Sequence, residues 1–112
     1  MNVLDVIAAV LGGTVYKGYL PPEPDTCLSL FEYGGETLVN YFGGGQMIPH
    51  GIQARARSPD AQTAYNMAEA AAQTLNGYCA DDLSVSQTTP VLDIGRDDKQ
   101  RQEYTVNFTG RR

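Results

Sequence analysis

Gly51-Ile-Gln-Ala-Arg-Ala-Arg57, followed directly by Ser58-Pro-Asp-Ala-Gln-Thr-Ala-Tyr-Asn-Met-Ala-Glu-Ala-Ala-Ala-Gln-Thr-Leu-Asn-Gly77, is the stretch that decides the fold. Its first part alternates: Ile52, Ala54 and Ala56 fall on one side of an extended chain and Gln53, Arg55 and Arg57 on the other, as a half-buried strand requires. In the second part the period lengthens, because Ala64, Met67, Ala68, Ala71 and Leu75 recur at helical spacing, and Ala61, Ala70 and Ala72 add propensity. Ser58 as N-cap, Pro59 at the first helical position and Asp60 at the positive end of the dipole open this helix. Asn76-Gly77 closes it after about five turns. An alanine face lets the helix approach closely a strand whose inward residues are Ala54 and Ala56.

Toward the N-terminus, Asn2 to Leu11 is apolar almost all round and stops at Gly12-Gly13, which predicts a short helix that must lean on another element. Thr14 to Leu20 reads as a strand, ending at Pro21-Pro-Glu-Pro-Asp25, a stiff extended link that cannot donate to a ladder. Cys27 to Tyr33 resumes strand character with both faces largely apolar, as a central strand has. Gly34 to His50 has no clean periodicity, yet Leu38, Val39, Tyr41, Phe42, Met47 and Ile48 are apolar, so it needs a surface to lie on. It is expected to be mobile in the isolated protein and ordered in contact with a partner, unless it is a hairpin tip tucked onto its own domain.

Toward the C-terminus, Leu83 to Thr89 and Val91 to Ile94 read as a strand broken by Pro90, at an edge or a bulge. A charged turn leads into Glu103 to Thr109, where Tyr104, Val106 and Phe108 alternate with polar residues, completing a hairpin. The expected fold is α+β, a mostly antiparallel sheet packed by one long helix and a short N-terminal helix, in the order α-β-β-β-α-β-β. At 112 residues the chain is expected to be one domain spanning 1–112.

Thirteen acidic against eight basic residues give a net charge of −5, the wrong sign for a protein whose main task is to neutralise phosphates. Cys27 and Cys79 form no C-x-x-C pair and are expected as buried reduced thiols. The apolar N-terminal run is far too short for a membrane span, so no membrane association is expected. His50, the single histidine, would have to anchor any nucleophilic site, but beside Pro49 and Gly51 it is expected as an exposed structural residue. The acidic clusters Asp81-Asp82 and Asp93, Asp97, Asp98 lack the spacing of a calcium loop. Gly43-Gly-Gly45 is not followed by the Lys-Ser/Thr of a phosphate loop. No catalytic, metal or cofactor site is therefore expected, and the residues by themselves point to a small acidic interaction protein.

Several segments taken together carry a resemblance. Gly18-Tyr-Leu-Pro-Pro-Glu-Pro-Asp25, Cys27-Leu-Ser-Leu-Phe-Glu-Tyr-Gly-Gly35, Ile52-Gln-Ala-Arg-Ala-Arg57, Leu75-Asn-Gly77 and the closing pair Leu92 to Asp97 and Glu103 to Phe108 occur in an order that resembles phage minor capsid proteins grouped with tail terminators, or tail-to-head joining proteins. The resemblance runs from about Tyr16 to Phe108. It implies an α+β fold and a structural virion role: a homo-hexameric ring that stops growth of the tail tube and presents a surface to the head-closure (neck) proteins. It also implies contact with the tail tube protein, DNA passing through the lumen without specific binding, and assembly in the host cytoplasm. Rival readings are another neck component such as a head-closure or adaptor protein, a small cytosolic inhibitor domain, and a small enzyme using His50 with Cys27 or Cys79.

The expected interface residues are Arg55, Arg57, Leu38, Val39, Tyr41, Phe42, Met47 and Ile48. Strand alternation turns both arginines away from the long helix, onto a face that is open to water or covered by a neighbour. Each arginine is thus expected to tolerate charge reversal in the monomer, and at least one to pair with an acid of an adjacent protomer. The first 51 residues hold five acids and one base, which marks that half as the expected lumen wall.

Overall fold

A computed structural model describes residues 3–33, 39–40, 46–47, 49–80 and 83–111. Along the chain lie α1 (Val3–Leu11), β1 (Tyr16–Lys17), β2 (Cys27–Tyr33), β3 (Val39–Asn40), β4 (Gln46–Met47), β5 (Pro49–Ser58), α2 (Ala61–Leu75), β6 (Cys79–Ala80), β7 (Leu83–Gln87), β8 (Leu92–Arg96) and β9 (Gln102–Arg111). The fold is α+β, with a mostly antiparallel seven-stranded sheet, as the hydrophobic patterning predicts.

The sheet is built on β5 and β9, two ten-residue strands paired antiparallel from Pro49↔Arg111 to Ser58↔Gln102. On the other side of β5, β2 pairs antiparallel from Cys27↔Arg57 to Tyr33↔Gly51, and β1 adds in parallel beyond it. β7 and β8 share the remaining edge of β9, and β6 pairs with β7. Pro90 divides β7 from β8 as expected, since it has no N–H to contribute. The gap is bridged by Thr89, whose Oγ1 accepts the Asn107 N–H at 3.0 Å. The strand expected over Thr14 to Leu20 shrinks to Tyr16–Lys17, because Gly18 turns the chain at φ +84° and gives its N–H to the Leu30 carbonyl at 2.8 Å.

One face of the sheet carries Leu30, Ile52, Ala54, Ala56, Val106 and Phe108, all 0% exposed. α2 lies on this face through Ala64, Ala68, Ala71, Ala72 and Leu75, the close alanine contact expected from the sequence. The helix is shorter than expected, 15 residues or about four turns, and starts at Ala61 with Asp60 as its N-cap residue. Ser58 is the last residue of β5 instead, because the following proline disfavours helical geometry before it. Its hydroxyl accepts the Asp60 N–H at 3.2 Å. α1 covers the flank of the core with Val3 and Ile7 and ends where Gly12 and Gly13 take positive φ.

Of the expected Gly34 to His50 loop, Val39–Asn40 and Gln46–Met47 form a separate antiparallel pair, and Pro49 and His50 belong to β5. Leu38, Tyr41, Phe42 and Ile48 lie outside the described residues, as does the expectation of mobility there. Cys27 is buried, and desolvation raises the pKa of its thiol. Cys79 is exposed, contrary to expectation, because β6 is the outermost strand beyond β7.

Candidate functional site

The face of the sheet turned away from α2 is read row by row from the strand register. One row runs Tyr16, Ser29, Arg55, Thr105, Leu92 across β1, β2, β5, β9 and β8. Adjacent rows contain Phe31, Gln53 and Asn107 on one side and Cys27, Arg57 and Glu103 on the other. Small buried residues, Ser29, Thr105 and Thr109, are roofed by longer ones: the Gln53 amide donates to Asn107 Oδ1 at 3.1 Å, and the Arg55 guanidinium lies 5.8 Å from the Phe31 ring centre. At the far end the Tyr33 ring lies so close over Gly51 that a Cβ there would fall 2.4 Å from its Cε2.

Arg55 occupies the expected face. Its side chain is 32% exposed, and its Nη1 is 3.7 Å from Oε1 of the largely buried Glu103. Arg55 Nε and Ser29 Oγ, next to one another in the row, are buried without a hydrogen-bond partner. An arginine held at long range with an unsatisfied Nε is under-used by its own chain.

Arg57 departs from the expectation of a free surface charge. It is 2% exposed, with Nη2 donating to the Pro24 carbonyl at 2.7 Å and Nε to the Asp25 carbonyl at 3.3 Å. Arg101, which the sequence reading did not single out, completes this corner. Its Nη1 donates to the Pro22 carbonyl at 2.6 Å and its Nε to Asp97 Oδ2 at 2.8 Å, and Asp25 Oδ1 lies 3.3 Å from Nη1. The two guanidinium groups thereby pin the Pro21–Asp25 link to the ends of β5 and β9. The signal was present in the sequence: a proline-rich link outside any ladder leaves carbonyls that need donors, and arginine forks supply several each. The Asp97 carboxylate is held below the ordinary carboxylate range, first by the Arg101 backbone N–H at 2.9 Å and further by the Arg101 side chain and the Lys99 N–H.

His50 is half-buried, with Nδ1 3.5 Å from Glu32 Oε1. Cys27 pairs across from Arg57, seven residues along β5 from His50, or about 23 Å. Cys79 is in the Pro49 row but three strands away, about 14 Å. The sheet thus separates His50 from both thiols. Among the described residues no group of three or more His, Cys, Asp or Glu is placed to hold a metal ion. A groove of about 280 Å³ between the end of α1 and α2 is lined by residues such as Leu11, Val15, Leu28, Met67 and Ala71, and no described lining residue is titratable.

Residues 6–111 match the family model of the bacteriophage tail terminator protein. The chain belongs to the bacteriophage tail terminator family. No curated protein is similar enough in sequence to count as a relative. Among solved structures, the terminator fold matches a chain of the virion of a native gene transfer agent particle at a TM-score of 0.62 and 22% identity, over 95% of this chain and 83% of that one. At that identity the likeness is one of fold. Membership of the terminator family gives the protein a structural role in the phage tail, and so a place in the virion. No helix among the described residues is long and apolar enough to cross a membrane.

Proposed function

We propose that this terminator assembles into a homo-hexameric ring on the end of the tail tube, stops tube growth there and joins tail to head as a non-enzymatic component. The carrying observation is the family match over 6–111, on a sheet whose β1 and β8 each have a described partner on one side only. Such edges call for cover, and a closed ring supplies it. The partners in this reading are further copies of the chain, the tail tube protein on one side and the head-closure (neck) proteins on the other. DNA passes through the lumen without specific binding, with which a net charge of −5 is compatible. The monomer exposes 6048 Å². Two lateral contacts of about 800 Å² each would leave most of that for tube and neck.

Arg55 is the contact residue on the helix-free face. Leu38, Val39, Tyr41, Phe42, Met47 and Ile48 supply apolar contacts to a partner. Arg57 serves the same interface from beneath, by fixing the proline link. Native mass spectrometry of the concentrated protein, with imaging of intact particles, tests the reading. Six-membered rings at the head-proximal end of the tube are expected; a strict monomer in mature particles overturns it.

A further inference from the structure

The ring reading leaves open which surfaces meet, and the sheet supplies two that are complementary by position. The row Tyr16, Ser29, Arg55, Thr105, Leu92 begins on β1 and ends on β8, strands that each have one described partner, and keeps to the same face throughout. Large exposed apolar side chains gather at both ends of it. Tyr19, 55% exposed, stands edge-on to the Tyr16 ring with centres 5.7 Å apart, and β8 carries Leu92 and Ile94 at 41% and 45% exposure. All five residues of β8 are exposed. Lys17, beside Tyr16, is paired with Asp5 at 2.7 Å, and Asp93, beside Leu92, accepts from the Gln102 amide at 2.6 Å and the Gly95 N–H at 2.7 Å, so neither charge stands unpaired against an apolar contact.

We infer that, in the ring, the β8 edge of one protomer packs against the β1 edge of the next, Leu92 and Ile94 of the first meeting Tyr16 and Tyr19 of the second. The inference rests on the ring reading. A cyclic assembly needs two different surfaces on each protomer, facing opposite ways, and side-by-side placement of copies continues the row without interruption. Because β8 carries a bulge between Asp93 and Gly95 and β1 has two residues, side chains rather than an extended ladder carry the contact. Tyrosine, leucine and isoleucine on facing edges form an apolar centre of the kind that dominates interface energetics.

The test uses the full chain. Tyr19→Asp and Ile94→Lys, made singly, should each weaken assembly by about tenfold or more in native mass spectrometry and sedimentation, with monomer unfolding nearly unchanged because both side chains are exposed. Combining them places opposite charges at the contact and should restore assembly in part. Gln73→Lys, an exposed position of α2 opposite its buried alanine stripe, is the control that should assemble normally. If wild type forms rings and both single variants do too, the edges are not the contact, while the ring reading stands. If wild type forms no ring in solution or in particles, both are overturned.

Discussion

Arg57 gives its Nη2 proton to the Pro24 carbonyl at 2.7 Å from a side chain that is 2% exposed. A residue on the polar side of a strand is thereby made part of the interior, covered by a link 33 residues before it. Because the guanidinium is buried and bonded to two carbonyls, Arg57→Ala should cost about 2–3 kcal/mol in denaturant unfolding, since it leaves both acceptors without donors. Arg57→Lys retains the charge but not the two-pronged geometry and should recover only part of that loss. An Arg57→Ala variant as stable as wild type would refute the clamp.

Arg55 should behave in the opposite way. With Nη1 3.7 Å from Glu103 and a third of the side chain exposed, Arg55→Glu should lower monomer stability by only about 1 kcal/mol. Its effect on ring assembly should be much larger, read as the oligomer fraction at fixed concentration.

The Asp97 carboxylate titrates below its ordinary value because it accepts from Arg101 and Lys99. The unfolded chain therefore takes up a proton at a higher pH than the folded one, so Asp97 contributes stability that is complete above the unfolded value and is lost as pH falls through the folded value. Wild type should weaken progressively below about pH 4. Asp97→Asn should be less stable at neutral pH and lose less on acidification, as followed by thermal unfolding across a pH series.

Two glycines should respond differently to alanine. At Gly51 the added Cβ would meet the Tyr33 ring at 2.4 Å, but that ring is 46% exposed and free to swing aside, so Gly51→Ala should cost about 1 kcal/mol and cost nothing in a Tyr33→Ala background. At Gly110 the Cβ would meet the buried Ile52 Cδ1 at 3.0 Å, where the core has little room to yield, and a loss of about 1–3 kcal/mol is expected. Unfolding of the three single variants and the double mutant checks both.

Local periodicity and backbone chemistry were enough to read most of the architecture. The inward set Ile52, Ala54 and Ala56, the alanine helix, the central place of Cys27 to Tyr33, the stop at Gly12-Gly13 and the break at Pro90 each follow from constraints acting over a few residues. The same signals misplace the start of α2, because Ser58 and Pro59 satisfy helix-start rules locally while β9 holds Ser58 in the ladder opposite Gln102. In the candidate site, the face on which Arg55 and Arg57 lie was legible, but their different fates were not. Alternation fixes only the side of the sheet to which a side chain points. What covers it depends on distant chain, and here the Pro21–Asp25 link and Arg101 meet over Arg57 and leave Arg55 partly open. Likewise, only the strand order reveals that Tyr16 and Leu92 end one row at opposite edges, since residues 76 positions apart have no local relation that a sequence pattern can express.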